Sequence, residues 1–545
     1  MRSLLRVGSS LTHLRHGGGV RALPLQTVGY GRGYHTYPDP SDKGTITTAR
    51  ATDNEVKKQL DKSGDEFKLD DSFKLDQVFP GVPPGKKIED QPLYLTKSTK
   101  LENGLTVASQ DMPGLMTSFA FIVSAGSSFE EQSGSTQMLE LTSFKSTKRR
   151  SHQYLLEEVE QLGGMVQCLT TRENILYCVD VLRENAEQAM DIMADSVMHP
   201  SFSEEEVEES KITAKLMIDE MPSDMLSRDA AQMAAYVGTP LGAAHFCPPD
   251  EIDKISVDTL RQFHQKYFVG ENCYLAAAGI DHDLFVKLAK DKFKDFPVAK
   301  EGFAEAKKRA PSAYTGGLVT NQRNLKEPFV KIAMAFEVGG WDDDKVVAAV
   351  VLNQLLGGGS SFSAGGPGKG MYTRLYREVL NQHAFAESSE GFLSLNEDYG
   401  VLGIDSACPP EYVPAMIRVI VDQFVRLLIE PVSEIELDRA KNMAKSMLLM
   451  QLESRIILCE DIARQFVTYG HRKDPHEICK EIDQITAEDL QDLVDGILSN
   501  PPSVGCVGSD LGHLPSYKDI AAFCGDYVVE GRKIRDSRTG GSGIK

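Results

Sequence analysis

Half of the fourteen residues from 357 to 370 are glycine. The run Gly357, Gly358, Gly359, Ser360, Ser361, Phe362, Ser363, Ala364, Gly365, Gly366, Pro367, Gly368, Lys369, Gly370 interrupts two helical patterns. Each glycine costs about 0.5–1 kcal/mol relative to alanine in regular structure, so such a run suits a place where something passes close to bare backbone. The chemistry on offer is main-chain hydrogen bonding to an extended ligand. Phe362, Pro367 and Lys369 set the run apart from a Gly/Ser spacer. It is not a phosphate loop: Gly370 stands where Ser or Thr must follow the lysine, and Ser363 stands where the first glycine belongs. Phe362 and Met371 are candidate apolar contacts for a ligand, with Met371 better suited to packing at the base. Lys369 is a donor for a ligand carbonyl or for a nearby acid.

Other reactive side chains are scattered. No two of the twelve histidines stand four apart, and the nine cysteines are odd in number and lack a C-x-x-C pair. They read as reduced core thiols, neither a disulfide framework nor a zinc ribbon. No stretch approaches the roughly 20 apolar residues of a membrane span.

A chain of 545 residues exceeds one ordinary core, and roughly 200 residues per domain is the natural division. An internal repeat supports it. SEEEVEESKITAKLM (203–217) lies without gaps on SEIELDRAKNMAKSM (433–447) with seven identities in fifteen, and the same offset of 230 lays EIDKISVDTL (251–260) on EIDQITAEDL (481–490). Within one copy the pattern predicts a hairpin over 97–109 with a two-residue turn at Asn103-Gly104. A strand over 118–125, helices over 134–145 and 151–162, and strands within 165–182 follow. Helices over 184–197, 203–220 and 256–267 and a strand over 273–279 complete the copy. The fold class is α+β: two homologous domains, each a mostly antiparallel sheet covered by helices on one face. The expected division is 91–300 for the first domain, 301–316 for a linker and 317–530 for the second, with a disordered tail over 531–545.

The first 38 residues hold five arginines, no lysine and no acid. Leu4, Val7, Leu11 and Leu14 fall on one helical face, with Arg2, Arg6 and His13 on the other, which is the make-up of a mitochondrial targeting segment. Arg32-Gly-Tyr34 before His35 resembles an arginine-minus-three cleavage site, so residues 1–34 are read as a presequence and 35–90 as a polar lead-in. Removing residues 1–34 leaves 54 basic against 79 acidic residues, a formal charge of −25. Acidic clusters at Glu157-Glu158 with Glu160, Glu204-Glu205-Glu206, Glu208-Glu209 and Asp342-Asp343-Asp344 read singly as solvated faces. Together they favour basic partners and disfavour nucleic acid.

The helix containing Gln137, Glu140 and Leu141 resembles the inverted zinc segment of the pitrilysin-type metallopeptidases. That motif is H-x-x-E-H with a further glutamate about 76 residues on: two histidines and the distant glutamate hold zinc, and the glutamate between the histidines activates water. Here the ligand positions are Gln137, Leu141 and Met217, and only Glu140 matches. An amide, an isobutyl group and a thioether do not replace two imidazoles and a carboxylate. The resemblance therefore implies no metal and no catalytic residue in this chain, with Glu140 a helical surface glutamate. It also implies a heterodimer in which a β-type partner carries zinc. The glycine-rich segment would then bind basic presequence peptides of imported mitochondrial precursors in the matrix. An alternative implied by the same family is a core structural subunit of the respiratory cytochrome bc complex, complex III, with both roles in some lineages.

Overall fold

The computed structural model describes residues 94–323, 328–361 and 370–539. The presequence, its cleavage site, the whole polar lead-in, residues 362–369 and residues 540–545 lie outside the described residues.

The first half runs β1 (Lys97–Lys100), β2 (Thr106–Gln110), β3 (Met116–Val123), α1 (Ser135–Thr142), α2 (His152–Gln161), β4 (Met165–Thr170) and β5 (Ile175–Leu182). It continues with α3 (Ala186–Met198), α4 (Glu204–Glu220), α5 (Ser223–Ala235), α6 (Val257–Tyr267), β6 (Cys273–Ala278) and α7 (His282–Lys292). The second half runs β7 (Gly317–Gln322), β8 (Val330–Gly339), α8 (Val346–Leu356), β9 (Gly358–Ser360), β10 (Ser388–Leu395) and β11 (Tyr399–Cys408). It ends with α9 (Val413–Ile429), α10 (Glu434–Leu452), α11 (Arg455–Tyr469), α12 (Pro475–Gln484), α13 (Ala487–Ile497), β12 (Ser503–Gly508) and α14 (Tyr517–Thr539).

The two sheets repeat each other. Their orders are β1-β2-β6-β3-β5-β4 and β7-β12-β8-β11-β10-β9. Overlaying β2 on β7 and β6 on β12 matches five strands, including the single parallel pair of each sheet. β1 is then extra in one half and β9 in the other. The hairpin turn is longer than the two-residue connection expected. The Leu101 carbonyl accepts from Gly104 N–H at 3.0 Å and Leu101 N–H donates to the Leu105 carbonyl at 2.8 Å, enclosing a three-residue loop with Gly104 left-handed (φ 89°).

The repeated residues are fasteners. Ser203 and Ser433 cap α4 and α10 by accepting from the third amide of each helix, and glutamates in the first turn suit the positive end of the dipole. Lys215 reaches Asp253 at 2.8 Å, and its copy Lys445 reaches Asp483 at 2.6 Å.

Each sheet is covered on both faces, not on one. Phe119, Phe121 and Val123 of β3 face the helices of their own half, while the alternating Ala120 and Ile122 join the core of the second half. That opposite face, with Ala276 and Ala278 of β6, receives α11 from the other half of the chain. Reciprocally, α5 packs on β7, β8 and β12 of the second sheet, Ala231 and Ala235 against Ala333 and Ala335. A Cβ on Gly505 of β12 would collide with backbone atoms of Ser227 and Ala231, so the exchange depends on a bare backbone there.

Two helices, α5 and α7, were not anticipated. The tail expected to be disordered from Gly531 is helical to Thr539, because Arg532 and Arg535 both bind the Asp495 carboxylate, at 2.7 and 2.8 Å.

Candidate functional site

The helix α1 that carries the degenerate zinc motif is held by Glu130, whose carboxylate accepts from the amides of Gly134 at 2.7 Å and Thr136 at 2.6 Å. Gln137 is buried, and its side-chain oxygen accepts from Cys247 N–H at 2.7 Å. Leu141 packs against the core of the first half. Met217 lies 41% exposed on α4, two turns beyond Ser210 on the same face. Ser210 Oγ lies 3.5 Å from the Leu141 carbonyl.

Glu140 is not a solvated surface glutamate. Its carboxylate accepts from Thr170 N–H at 2.9 Å and from Thr170 Oγ1 at 2.6 Å. Thr171 N–H points to Asn174 across the β4–β5 turn, so the neighbouring Thr170 N–H points away from β5, to the open edge of the sheet. Glu140 therefore covers the last edge donor of β4.

The donor set does not fit zinc. Gln137 is committed to a backbone amide and Leu141 has no donor. Among the neighbouring thiols, burial first, then the Glu140 charge, pushes Cys168 well up. Burial, then Glu130, pushes Cys247 up to about 12. Among the described residues there is no cluster of three His, Cys, Asp or Glu side chains that could hold a metal ion.

In the second half, α8 occupies the place of α1, and the glycine-rich segment follows it, ahead of a short π-helix at Tyr376–Leu380. Its start is a strand and not a loop. β9 pairs antiparallel with β10 (Ser360 opposite Ser388, Gly358 opposite Glu390) and forms the edge of the sheet. Gly357 and Gly358 have φ of 54° and 105°, values that exclude a side chain at little cost. Gly391 N–H donates to the Gly357 carbonyl and Ser361 N–H to the Glu387 carbonyl, both at 2.8 Å.

At the far end, Thr373 closes the base. Its hydroxyl accepts from Gly358 N–H at 3.0 Å and donates to the Gly370 carbonyl at 2.6 Å. Arg374 makes a two-pronged pair with Glu436 at 2.9 and 3.1 Å. Met371 is 37% exposed, and Tyr372 is 71% exposed with Arg439 over its ring. Of the fourteen predicted segment residues, Gly357 to Ser361 and Gly370 are described; Phe362 to Lys369 are not. Thr373 and Arg374 escaped the sequence reading, although Thr followed by Arg just past a glycine run is the kind of anchor that could have been sought.

The acidic clusters divide. Glu204, Glu205, Glu208, Glu209 and Asp342 to Asp344 are exposed. Glu158 instead binds Arg150 at 2.7 Å, and Glu206 accepts from Ser146 N–H and Oγ at 3.0 and 2.7 Å. No helix among the described residues is long and apolar enough to cross a membrane.

Comparison with known proteins agrees with this geometry. Residues 106–249 match the insulinase domain of peptidase family M16, and residues 254–444 match the M16 inactive domain. The probable mitochondrial-processing peptidase subunit alpha-1 of Arabidopsis thaliana is 35% identical over 82% of this chain and 88% of its own length. The mitochondrial-processing peptidase subunit alpha of Bos taurus is 33% identical over 82% and 89%. A solved chain of the Candida albicans complex III assembly shares the fold, with a TM-score of 0.66 at 20% identity over 78% of this chain and 99% of that one. With a duplicated α+β architecture, a degenerate zinc helix and relatives of this length and identity, the chain belongs to the insulinase family of peptidases, family M16, alongside the mitochondrial-processing peptidase alpha subunits.

Proposed function

We propose that this chain is the non-catalytic, substrate-recognition subunit of a heterodimeric mitochondrial processing peptidase. It binds the basic presequences of imported precursors in the matrix, and a β-type partner carries the zinc that cleaves them. The observation that carries this reading is the contrast between the two halves: Gln137 and Glu140 of the degenerate motif serve as internal fasteners, while the glycine-rich segment is rooted at a sheet edge. Main-chain hydrogen bonding along such a segment tolerates many sequences, and an acidic surface supplies the preference for arginine-rich ones.

The test is cleavage of an arginine-containing presequence peptide by a zinc-bearing β-type partner, with and without this chain. Cleavage that needs this chain is the expected result. Equal processing by the partner alone would sink the proposal. A second reading, a core subunit of complex III, draws on the shared fold of the complex III chain. Co-migration with the assembled complex on native gels would support that role, alone or alongside processing.

A further inference from the structure

We infer that Thr373 is a positioning residue for substrate recognition: its hydroxyl ties the two described ends of the glycine-rich segment together. This rests on the reading that the segment binds presequences. The hydroxyl has one proton to give and lone pairs to receive. It gives the proton to the Gly370 carbonyl at 2.6 Å and receives the Gly358 amide at 3.0 Å, so one side chain joins residues twelve apart. Thr373 is buried, 4% exposed, and its own N–H also donates to the Gly370 carbonyl at 2.9 Å.

Neighbouring contacts show why the hydroxyl is the part that matters. In β9, Gly357 offers its carbonyl to Gly391 and Ser361 its amide to Glu387, so the odd-numbered residues face β10. Gly358 therefore turns its amide away from the sheet, where the ladder provides no acceptor. Thr373 provides one. A Cβ on Gly357 would press into the Thr373 side chain, so the glycine and the threonine are fitted to each other. One residue on, the Arg374–Glu436 pair fixes the same base to α10.

The internal repeat separates fold from function. The copy of Glu436 in the first half is Glu206, which holds Ser146 in the segment following α1, so this anchor belongs to the scaffold. The Thr373 bridge joins two glycines that have no counterpart in the first half. Its consequence is a base of set width, with the Gly358 amide and the Gly370 carbonyl already held in place before a ligand arrives.

The experiment compares Thr373→Val, which keeps the shape and loses both bonds, with Thr373→Ser, which keeps both. Each is assembled with the zinc-bearing partner and assayed on a presequence peptide, with a chain shortened within residues 361–369 in parallel. Thr373→Val is expected to raise KM about tenfold with kcat within twofold and to speed amide exchange in residues 357–361, while Thr373→Ser stays near wild type. Wild-type KM for Thr373→Val, beside a collapse in the shortened chain, would overturn the inference and leave the recognition reading standing. No effect of shortening would overturn that reading itself. If Thr373→Val fails to fold, amide exchange in the wild-type heterodimer decides: a Gly358 amide that exchanges as fast as an unbonded one removes the bridge.

Discussion

The corner after α1 and the corner after α8 occupy equivalent places in two copies of one sheet, and they have gone opposite ways. In the first, the motif residues of α1 serve the fold: Gln137 satisfies a backbone amide, Leu141 joins the core, and Glu140 covers an edge donor of β4. In the second, a glycine-rich segment follows α8 ahead of a short helical stretch at Tyr376–Leu380, has positive φ at Gly357 and Gly358, and is tied at its base by Thr373. The scaffold under both is the same down to the Lys215–Asp253 and Lys445–Asp483 pairs. At one corner the motif side chains are absorbed into packing; at the other, Gly357 and Gly358 leave backbone bare where a Cβ would press on Thr373 and on β10.

The strongest way to break the comparison is to break the helix exchange that makes the halves one unit. Gly505→Leu puts a side chain where α5 lies on the second sheet, and a loss of more than about 4 kcal/mol, seen as a lack of soluble native protein, is expected. Soluble protein with near-native thermal unfolding would mean that the two halves dock less tightly than described.

A second contrast concerns His264, whose copy at the same offset is Val494. The ring lies against Phe268 with centroids 4.2 Å apart, its Nε2 donates to the Val197 carbonyl at 2.7 Å, and burial pushes its pKa down to about 4. The unfolded chain takes up this proton as pH falls through about 6.5, while the native state resists until about 4. Stability present above pH 6.5 is therefore lost as pH falls toward 4, by up to about 3 kcal/mol. Denaturant midpoints for the wild type and His264→Val at neutral and mildly acidic pH check this. The variant should show the shallower decline, and parallel declines would remove His264 as the cause.

The smallest effect distinguishes a fastener from a catalytic remnant. Glu140→Ala removes the acceptor for the Thr170 amide and should cost about 1–3 kcal/mol, whereas Glu140→Gln keeps one acceptor and should cost less. Chemical denaturation measures both. The heterodimer's turnover per folded molecule should be unchanged; a fall in kcat at full occupancy would return Glu140 to the chemistry.

Much of this was legible in the residues. The repeat was readable because caps and ion pairs need particular side chains at particular offsets, as Ser203, Lys215 and Asp253 do. The poor donor set at Gln137, Leu141 and Met217 was readable because donor chemistry is a property of residue type. The helix exchange was not, since α5 presents Ala230, Ala231, Ala234 and Ala235, small residues that carry little periodic signal yet permit close approach to a sheet. The turn at Asn103-Gly104 was placed correctly and its length was not, because a left-handed glycine serves both two- and three-residue loops. Glu140 was misread and Thr373 missed because their partners, Thr170 and Gly358, are brought to them only by the tertiary fold.

The central claim is that the glycine-rich corner, and not the degenerate metal corner, serves recognition. It is tested most directly by measuring presequence-peptide affinity of the heterodimer, its partner's zinc site inactivated, for two variants side by side. One is shortened within residues 361–369 and the other carries Gln137→Ala with Met217→Ala. Affinity falling at least tenfold in the first and staying within twofold in the second is the predicted result. Unchanged affinity in the shortened chain, or an equal fall in both, would contradict it.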